Sequence, residues 1–248
     1  MRGRFPAPSG MSYAFGPGPV TPAIKALIIA NVVAFIATSI WPALEIPFRL
    51  MPQAVFTTGA VWQLVTYMFL HGGPMHLIFN MLMLWMFGVE IERMWGTTYF
   101  TKYYFVCGIG AGLTQVLLGL LPFSFAVSFW LQATIGASGA IFGVLLAYAL
   151  YFPTRPILFA FIFPVQAKYM VIILGGISLW SAVFAGGGVA HTAHLGGLAT
   201  GYLYLKGKRV NLLSEIQYRY LKWRINRMRK KFDVYSGGRG DDVNRRVH

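Results

Sequence analysis

The sequence predicts an all-α membrane protein built from six spanning helices. Composition is the first reason: 56% of the 248 residues are hydrophobic, only 11% are charged, and the mean hydropathy is +0.58. A soluble domain carries about twice that share of charge. The second reason is six apolar stretches suited to crossing a bilayer, which needs about 20 residues per helix. Charge placement is the third. With both termini cytoplasmic, Arg2, Arg4, Lys25, Arg93, Lys102, Arg155, Lys168 and the thirteen Lys and Arg from Lys206 onward fall at cytoplasmic ends, leaving Arg49 alone of 21 outside. That asymmetry is what positive-inside orientation requires.

In chain order, residues 1–21 are rich in Gly, Pro and Ser and lack the uninterrupted apolar core and cleavage site of a secretory signal, so a disordered cytoplasmic lead is expected. A six-helix domain is expected over 22–206, with spans near Pro22–Trp41, Met75–Val89, Tyr99–Leu121, Thr134–Phe152, Lys168–Phe184 and His191–Leu205. Between the first two spans, Pro42–Gly73 mixes Trp62, Tyr67 and Phe69 with polar residues, as expected of a loop partly immersed in the interface. Pro153, Pro156 and Pro164 make 153–166 a second loop with a short interfacial piece. The remainder, 207–248, reads as a basic tail: Ser214 and Gln217 have capping-box spacing, and Ile216, Tyr220, Trp223, Met228 and Phe232 interleave with Arg and Lys. An amphipathic helix on anionic headgroups is expected there, so the net charge of +14 points to a membrane surface and not to nucleic acid. The single Cys107 excludes an intramolecular disulfide and reads as a small apolar core residue.

Polar residues inside spans are costly, so chemistry is sought among them. His76 and Asn80, four apart, share one helix face at the start of the second span, with His71 just before them. Ser138 opens the fourth span within Gly136-Ala-Ser-Gly139, and His191 and His194 open the sixth. The second, fourth and sixth spans all begin on the non-cytoplasmic side, so these clusters share one depth. From Ser138 to Phe152 a helix covers only about 22 Å of a hydrocarbon core about 30 Å thick, which sets Ser138 several ångströms below the surface. The stretch 122–136 is then partly irregular at membrane depth, which implies a water-filled hollow beside it. Gly139 with Gly143, and Gly197 with Gly201, form small-residue faces that let the fourth and sixth helices approach closely.

A serine hydroxyl becomes a nucleophile when a base takes its proton, and histidine suits that task near neutrality. An acid to orient the histidine is missing from the expected hollow: Glu90 and Glu92 end the second span, Glu45 is in the outer loop, and Glu215, Asp233, Asp241 and Asp242 are in the tail. A Ser-His dyad remains. The Ser138 backbone N–H, the Asn80 amide and a His76 N–H are the candidate donors to an oxyanion. Periodicity alone does not separate His194 from His191 as the base. The soluble nucleophile elbow is absent, because position 140 is Ala.

The segments His71-Gly-Gly-Pro-Met-His76-Leu-Ile-Phe-Asn80, Gly136-Ala-Ser138-Gly139-Ala-Ile-Phe-Gly143 and Ala193-His194-Leu-Gly-Gly197 resemble, in order, the three signature motifs of the rhomboid intramembrane serine proteases. The likeness covers roughly residues 22–206. It implies a six-helix bundle of the bacterial type, Ser138 as nucleophile, His194 as general base and acid, and His76, Asn80 and the Ser138 amide as the oxyanion hole. It also implies that Phe142 packs on the catalytic imidazole and that Gly186–Gly188 belong to a flexible cap. Glu90, Glu92, Arg93 and Gly96 resemble a structural motif closing the cytoplasmic end of the second span. Trp62-Gln63 falls where many members have Trp-Arg, a departure that bears on loop anchoring.

The function implied is hydrolysis of peptide bonds in or beside the transmembrane helices of other membrane proteins, with no cofactor and no metal, in a multi-pass protein of the bacterial cytoplasmic membrane. Two alternatives stand beside it: an inactive rhomboid-like factor that binds membrane proteins, and a transporter whose His71, His76, His191 and His194 handle protons or a metal ion.

Overall fold

The computed structural model describes residues 16–124, 126–159, 163–184 and 188–209, with Lys222 and Arg227. The expected lead up to residue 15 and the amphipathic tail helix lie outside the described residues, as do Gly186 and Gly187 of the expected cap.

Helix α1, Pro22–Ile40, starts with proline at its first position, where the missing N–H removes no bond. The long outer segment that follows is more ordered than a plain loop. It holds two single 3-10 turns and two short helices, α2 (Pro52–Thr57) and α3 (Gln63–Thr66). Helix α4 runs Pro74–Trp95, well past the expected span end at Val89, and α5 runs Thr97–Gly119. Helix α6, Ala126–Leu131, precedes α7, Ser138–Tyr151. Helices α8, Ala167–Phe184, and α9, Gly188–Arg209, complete the order, so each of the six expected spans is a helix of 14 or more residues.

One expectation is corrected. The segment 153–166 is not simply a loop: Pro156–Phe159 (β1) and Phe163–Gln166 (β2) pair antiparallel, with Ile157 opposite Val165, a small addition to a mostly helical fold. A lone two-stranded hairpin is marginal in water, and this one is supported by Ile157, which is buried, and Val165, which packs on the core. Pro156 and Pro164 are compatible with strand, because among the described residues neither strand has a second neighbour that would need the missing N–H.

Helices α1, α4 and α8 are each long and apolar enough to cross a membrane, and α7 is apolar but only 14 residues long. The outward faces agree with that setting. Ile29, Val33, Ile36 and Ile40 on α1, and Ile172, Trp180, Val183 and Phe184 on α8, are all more than half exposed. Such contiguous apolar faces are at home against lipid tails.

Three contacts organise the rest. Glu92, buried near the end of α4, accepts the Ala23 N–H at 2.9 Å and the Ile24 N–H at 3.1 Å, which are orphan donors of the first turn of α1. It also accepts the hydroxyls of Thr21 and, at 2.7 Å, Thr97 at the start of α5, so one carboxylate joins three helices. Gly96, at φ +79°, makes the turn between α4 and α5, a conformation that favours glycine. At the other end, Leu50 and Thr134 exchange backbone hydrogen bonds of 3.0 and 2.8 Å, and the Gly136 N–H donates to the Tyr67 carbonyl at 2.9 Å. These bonds fasten the approach to α7 onto the outer segment. Gln63, where the resemblance leads one to expect arginine, anchors that segment: its Oε1 accepts the Met51 N–H at 3.0 Å and its Nε2 donates to the Pro47 carbonyl at 3.3 Å.

Glu92→Ala leaves those N–H groups and hydroxyls unpaired, and a loss of about 3 kcal/mol is expected from charge-assisted bonds of this kind. Thermal unfolding of purified protein in detergent measures it; an unchanged melting temperature would remove Glu92 from the role of clamp.

Candidate active site

Ser138 is the first residue of α7, so its N–H lies in the turn that has no carbonyl four residues earlier to bond. Gly136, two residues before it, has φ +119°, and a Cβ there would stand 3.0 Å from His76 Nε2 and 3.8 Å from Ser138 Oγ. Glycine is therefore required twice at this position, by backbone conformation and by space.

His194, on α9, meets Ser138 directly: its Nε2 lies 2.8 Å from Ser138 Oγ. His191 does not make this contact. It stands edge-on to His194, with ring centroids 5.7 Å apart, which separates the two histidines that periodicity left equivalent. Phe142, one turn along α7, stacks on the His194 ring at 4.2 Å with 7° between planes. A parallel ring at that distance blocks tilting of the imidazole out of its plane.

The pairing depends on how closely α7 and α9 approach. A Cβ on Gly197 would lie 1.9 Å from the Gly139 carbonyl oxygen, and one on Gly143 would lie 3.3 Å from the Gly197 carbonyl oxygen. Gly201 faces Gly143 in the same way, at 3.3 Å from its Cα. The small-residue faces expected from sequence thus meet backbone to backbone. Helix α5 closes the third side, where the Tyr103 hydroxyl donates to the Gly143 carbonyl at 2.7 Å.

His76 has its tautomer set by the loop before it. The Gly72 N–H donates to His76 Nδ1 at 3.3 Å, so Nδ1 accepts, and in the neutral ring the proton sits on Nε2, the nitrogen beside Gly136. Asn80, buried on the same face, donates one amide hydrogen to the His76 carbonyl at 2.8 Å. The second hydrogen of that amide is left for another acceptor. His71 is buried edge-on to His76, with centroids 4.9 Å apart. Burial, and secondly the His76 ring, push it down to about 4, so it is neutral at pH 7.

Ser178 of α8 was not among the residues the sequence singled out, yet its Oγ lies 3.4 Å from His194 Nδ1. The rule that intramembrane polar residues mark chemistry does point to it, but a serine in a helix commonly bonds its own preceding turn, which hides the signal. Among the described residues no carboxylate reaches His194, and no group of three or more His, Cys, Asp or Glu is gathered to hold a metal ion.

Apolar helices that fit a bilayer, with a serine at the start of a short helix and a histidine held against it, define a helical membrane protein with a serine–histidine pair among its helices. The chain belongs to the rhomboid family: the Rhomboid domain matches residues 58–208. It is 30% identical over 157 residues to Rhomboid protease GluP of Bacillus subtilis (strain 168), covering 63% of this chain and 28% of that protein. Over 139 residues it is 35% identical to Rhomboid protein 1, mitochondrial, of Saccharomyces cerevisiae, covering 55% of this chain and 38% of the relative. Over 156 residues it is 31% identical to Rhomboid protease AarA of Providencia stuartii, covering 59% and 55%. The chain thus spans from about a quarter to about half the length of these relatives. The family is one of membrane-embedded proteases acting on membrane proteins, and this chain is an integral membrane protein.

Gly197→Ala drives a methyl into the Gly139 carbonyl, and overpacking of this kind costs about 1–3 kcal/mol. A lowered melting temperature in detergent is expected; an unchanged one would mean that α7 and α9 are not in backbone contact.

Proposed function

We propose that this protein is a serine endopeptidase that hydrolyses peptide bonds in or next to the transmembrane helices of other membrane proteins. The observation that carries the reading is the 2.8 Å approach of His194 Nε2 to Ser138 Oγ, at the start of a helix that no side chain caps. Ser138 Oγ attacks the scissile carbonyl while His194 Nε2 takes its proton. The negative oxygen that forms is met by the Ser138 N–H, by His76 Nε2–H and by the free hydrogen of the Asn80 amide. His194 then gives its proton to the leaving amine as the C–N bond breaks, and an acyl-enzyme remains. Water, deprotonated by the same imidazole, attacks the ester; the acid product leaves and Ser138 recovers its proton. Gly136 leaves room beside the nucleophile, Gly139 lets α9 come close to it, and His71 supports the His76 ring.

The same reading takes the six long helices as six spans with both termini cytoplasmic, residues 22–206 as the protease domain, and the segment from 207 as a basic tail on anionic headgroups. Ser138 then opens toward the non-cytoplasmic side, in the bacterial cytoplasmic membrane. The substrates are proteins with a transmembrane helix whose backbone can unwind into the site; neither cofactor nor metal takes part.

A fluorophosphonate probe tests the nucleophile. The purified parent is expected to be labelled, and Ser138→Ala and His194→Ala to lose labelling while keeping their fold. A folded parent that stays unlabelled and cuts no model transmembrane substrate would sink the proposal. Asn80→Ala is expected to lower turnover by about a hundredfold, the scale of one oxyanion donor; turnover equal to the parent's would remove Asn80 from the oxyanion hole.

A further inference from the structure

We propose that Ser178 is a positioning residue for the base: its hydroxyl accepts the Nδ1–H of His194 and holds the imidazole in the tautomer that leaves Nε2 free to take the Ser138 proton. The inference rests on the Ser138–His194 pair acting as proposed above.

Three observations carry it. The first is geometry. Ser138 Oγ and Ser178 Oγ stand at opposite nitrogens of one ring, 2.8 Å from Nε2 and 3.4 Å from Nδ1. A neutral imidazole has one donor nitrogen and one acceptor, so when Nε2 accepts from Ser138, Nδ1 carries the hydrogen and needs an acceptor. Among the described residues Ser178 is the hydroxyl in reach, and no carboxylate is.

The second observation is burial. Helix α8 buries Ala167, Met170 and Ser178. From Val171 to Phe184 Ser178 is therefore its one buried residue, 2% exposed between Ile177 and Leu179, which are 50% and 56% exposed. A small polar side chain, and not its larger apolar neighbours, is what this part of α8 turns inward, and it turns it to the histidine. A buried hydroxyl is costly without a partner, and His194 Nδ1 is the partner it has.

The third is division of labour around the ring. Phe142 stacks on its face and so leaves rotation within the ring plane unrestrained. Contacts at the two nitrogens are what fix that remaining angle. Ser178 thus does with a neutral oxygen what a carboxylate does in a triad, without placing a charge in the apolar part of the molecule.

The test compares the full-length parent with Ser178→Ala and Ser178→Thr in detergent. Three quantities are read: the fluorophosphonate labelling rate, the kcat and KM for a model transmembrane substrate, and the melting temperature. Because the probe is small, its rate reports activation of Ser138 independently of substrate docking. Ser178→Ala is expected to lower labelling and kcat together by about three- to tenfold, the scale of one neutral hydrogen bond, with KM and melting temperature near the parent's. Ser178→Thr, which keeps the hydroxyl, is expected to recover most of the loss. A labelled parent with an alanine variant that labels equally fast overturns this inference alone, as does a threonine variant no faster than alanine. A parent that does not label overturns the dyad and this inference together.

Discussion

The contact on which the site depends is the backbone approach of α7 and α9 at Gly139 and Gly197. With a would-be Cβ only 1.9 Å from a carbonyl oxygen, these helices leave no room for a side chain between them at this point. That closeness carries Ser138 and His194, each near the start of its helix, into hydrogen-bonding range. Interfaces of this kind gain from dispersion between well-fitted surfaces, since lipid tails offer no hydrophobic incentive for helices to associate. It is the backbone, not a flexible side chain, that sets the distance between Ser138 and His194.

Other devices act through that contact or protect it. Phe142 extends the α7 surface over the imidazole, Tyr103 ties α5 to the Gly143 carbonyl, and the Gly136 bond to Tyr67 holds the entry to α7. Far from the site, Glu92 joins the starts of α1 and α5 to the end of α4. A carboxylate there completes helix ends whose N–H groups water would otherwise have to reach.

Much of this was legible in the sequence because apolar length and polar exceptions are strong signals in membrane proteins. The six long helices fall on the six apolar stretches, and Ser138, His194, His76 and Phe142, which the structure gathers around the start of α7, are ones that spacing or resemblance had named. What was not legible has identifiable causes. The hairpin at 156–166 was hidden by prolines that punctuate loops and edge strands alike. Helix α4 outran its apolar run because Glu92 is buried in the fold and Arg93, on the surface, ties the helix end to the segment before α1, its Nη2 donating to the Pro19 carbonyl at 2.7 Å. Gln63 anchors the outer segment by two amide bonds, and no pattern in one sequence states which backbone groups, here the Met51 N–H and the Pro47 carbonyl, those will meet. Ser178 lay in a predominantly apolar helix beside another serine, Ser181, and only packing reveals which of them turns inward.

The lack of a carboxylate near His194 among the described residues has an electrostatic consequence. In the proposed reaction the resting pair, with its imidazole neutral and a serine on either side, brings no net charge into the low-dielectric part of the molecule. In the proposed reaction the imidazolium and the oxyanion appear together, on groups a few ångströms apart, and disappear together. What the surroundings must accommodate is therefore a short-lived dipole instead of an ion, and fixed N–H donors on one side and an oriented hydroxyl on the other solvate its two ends at far less cost than an isolated charge would demand.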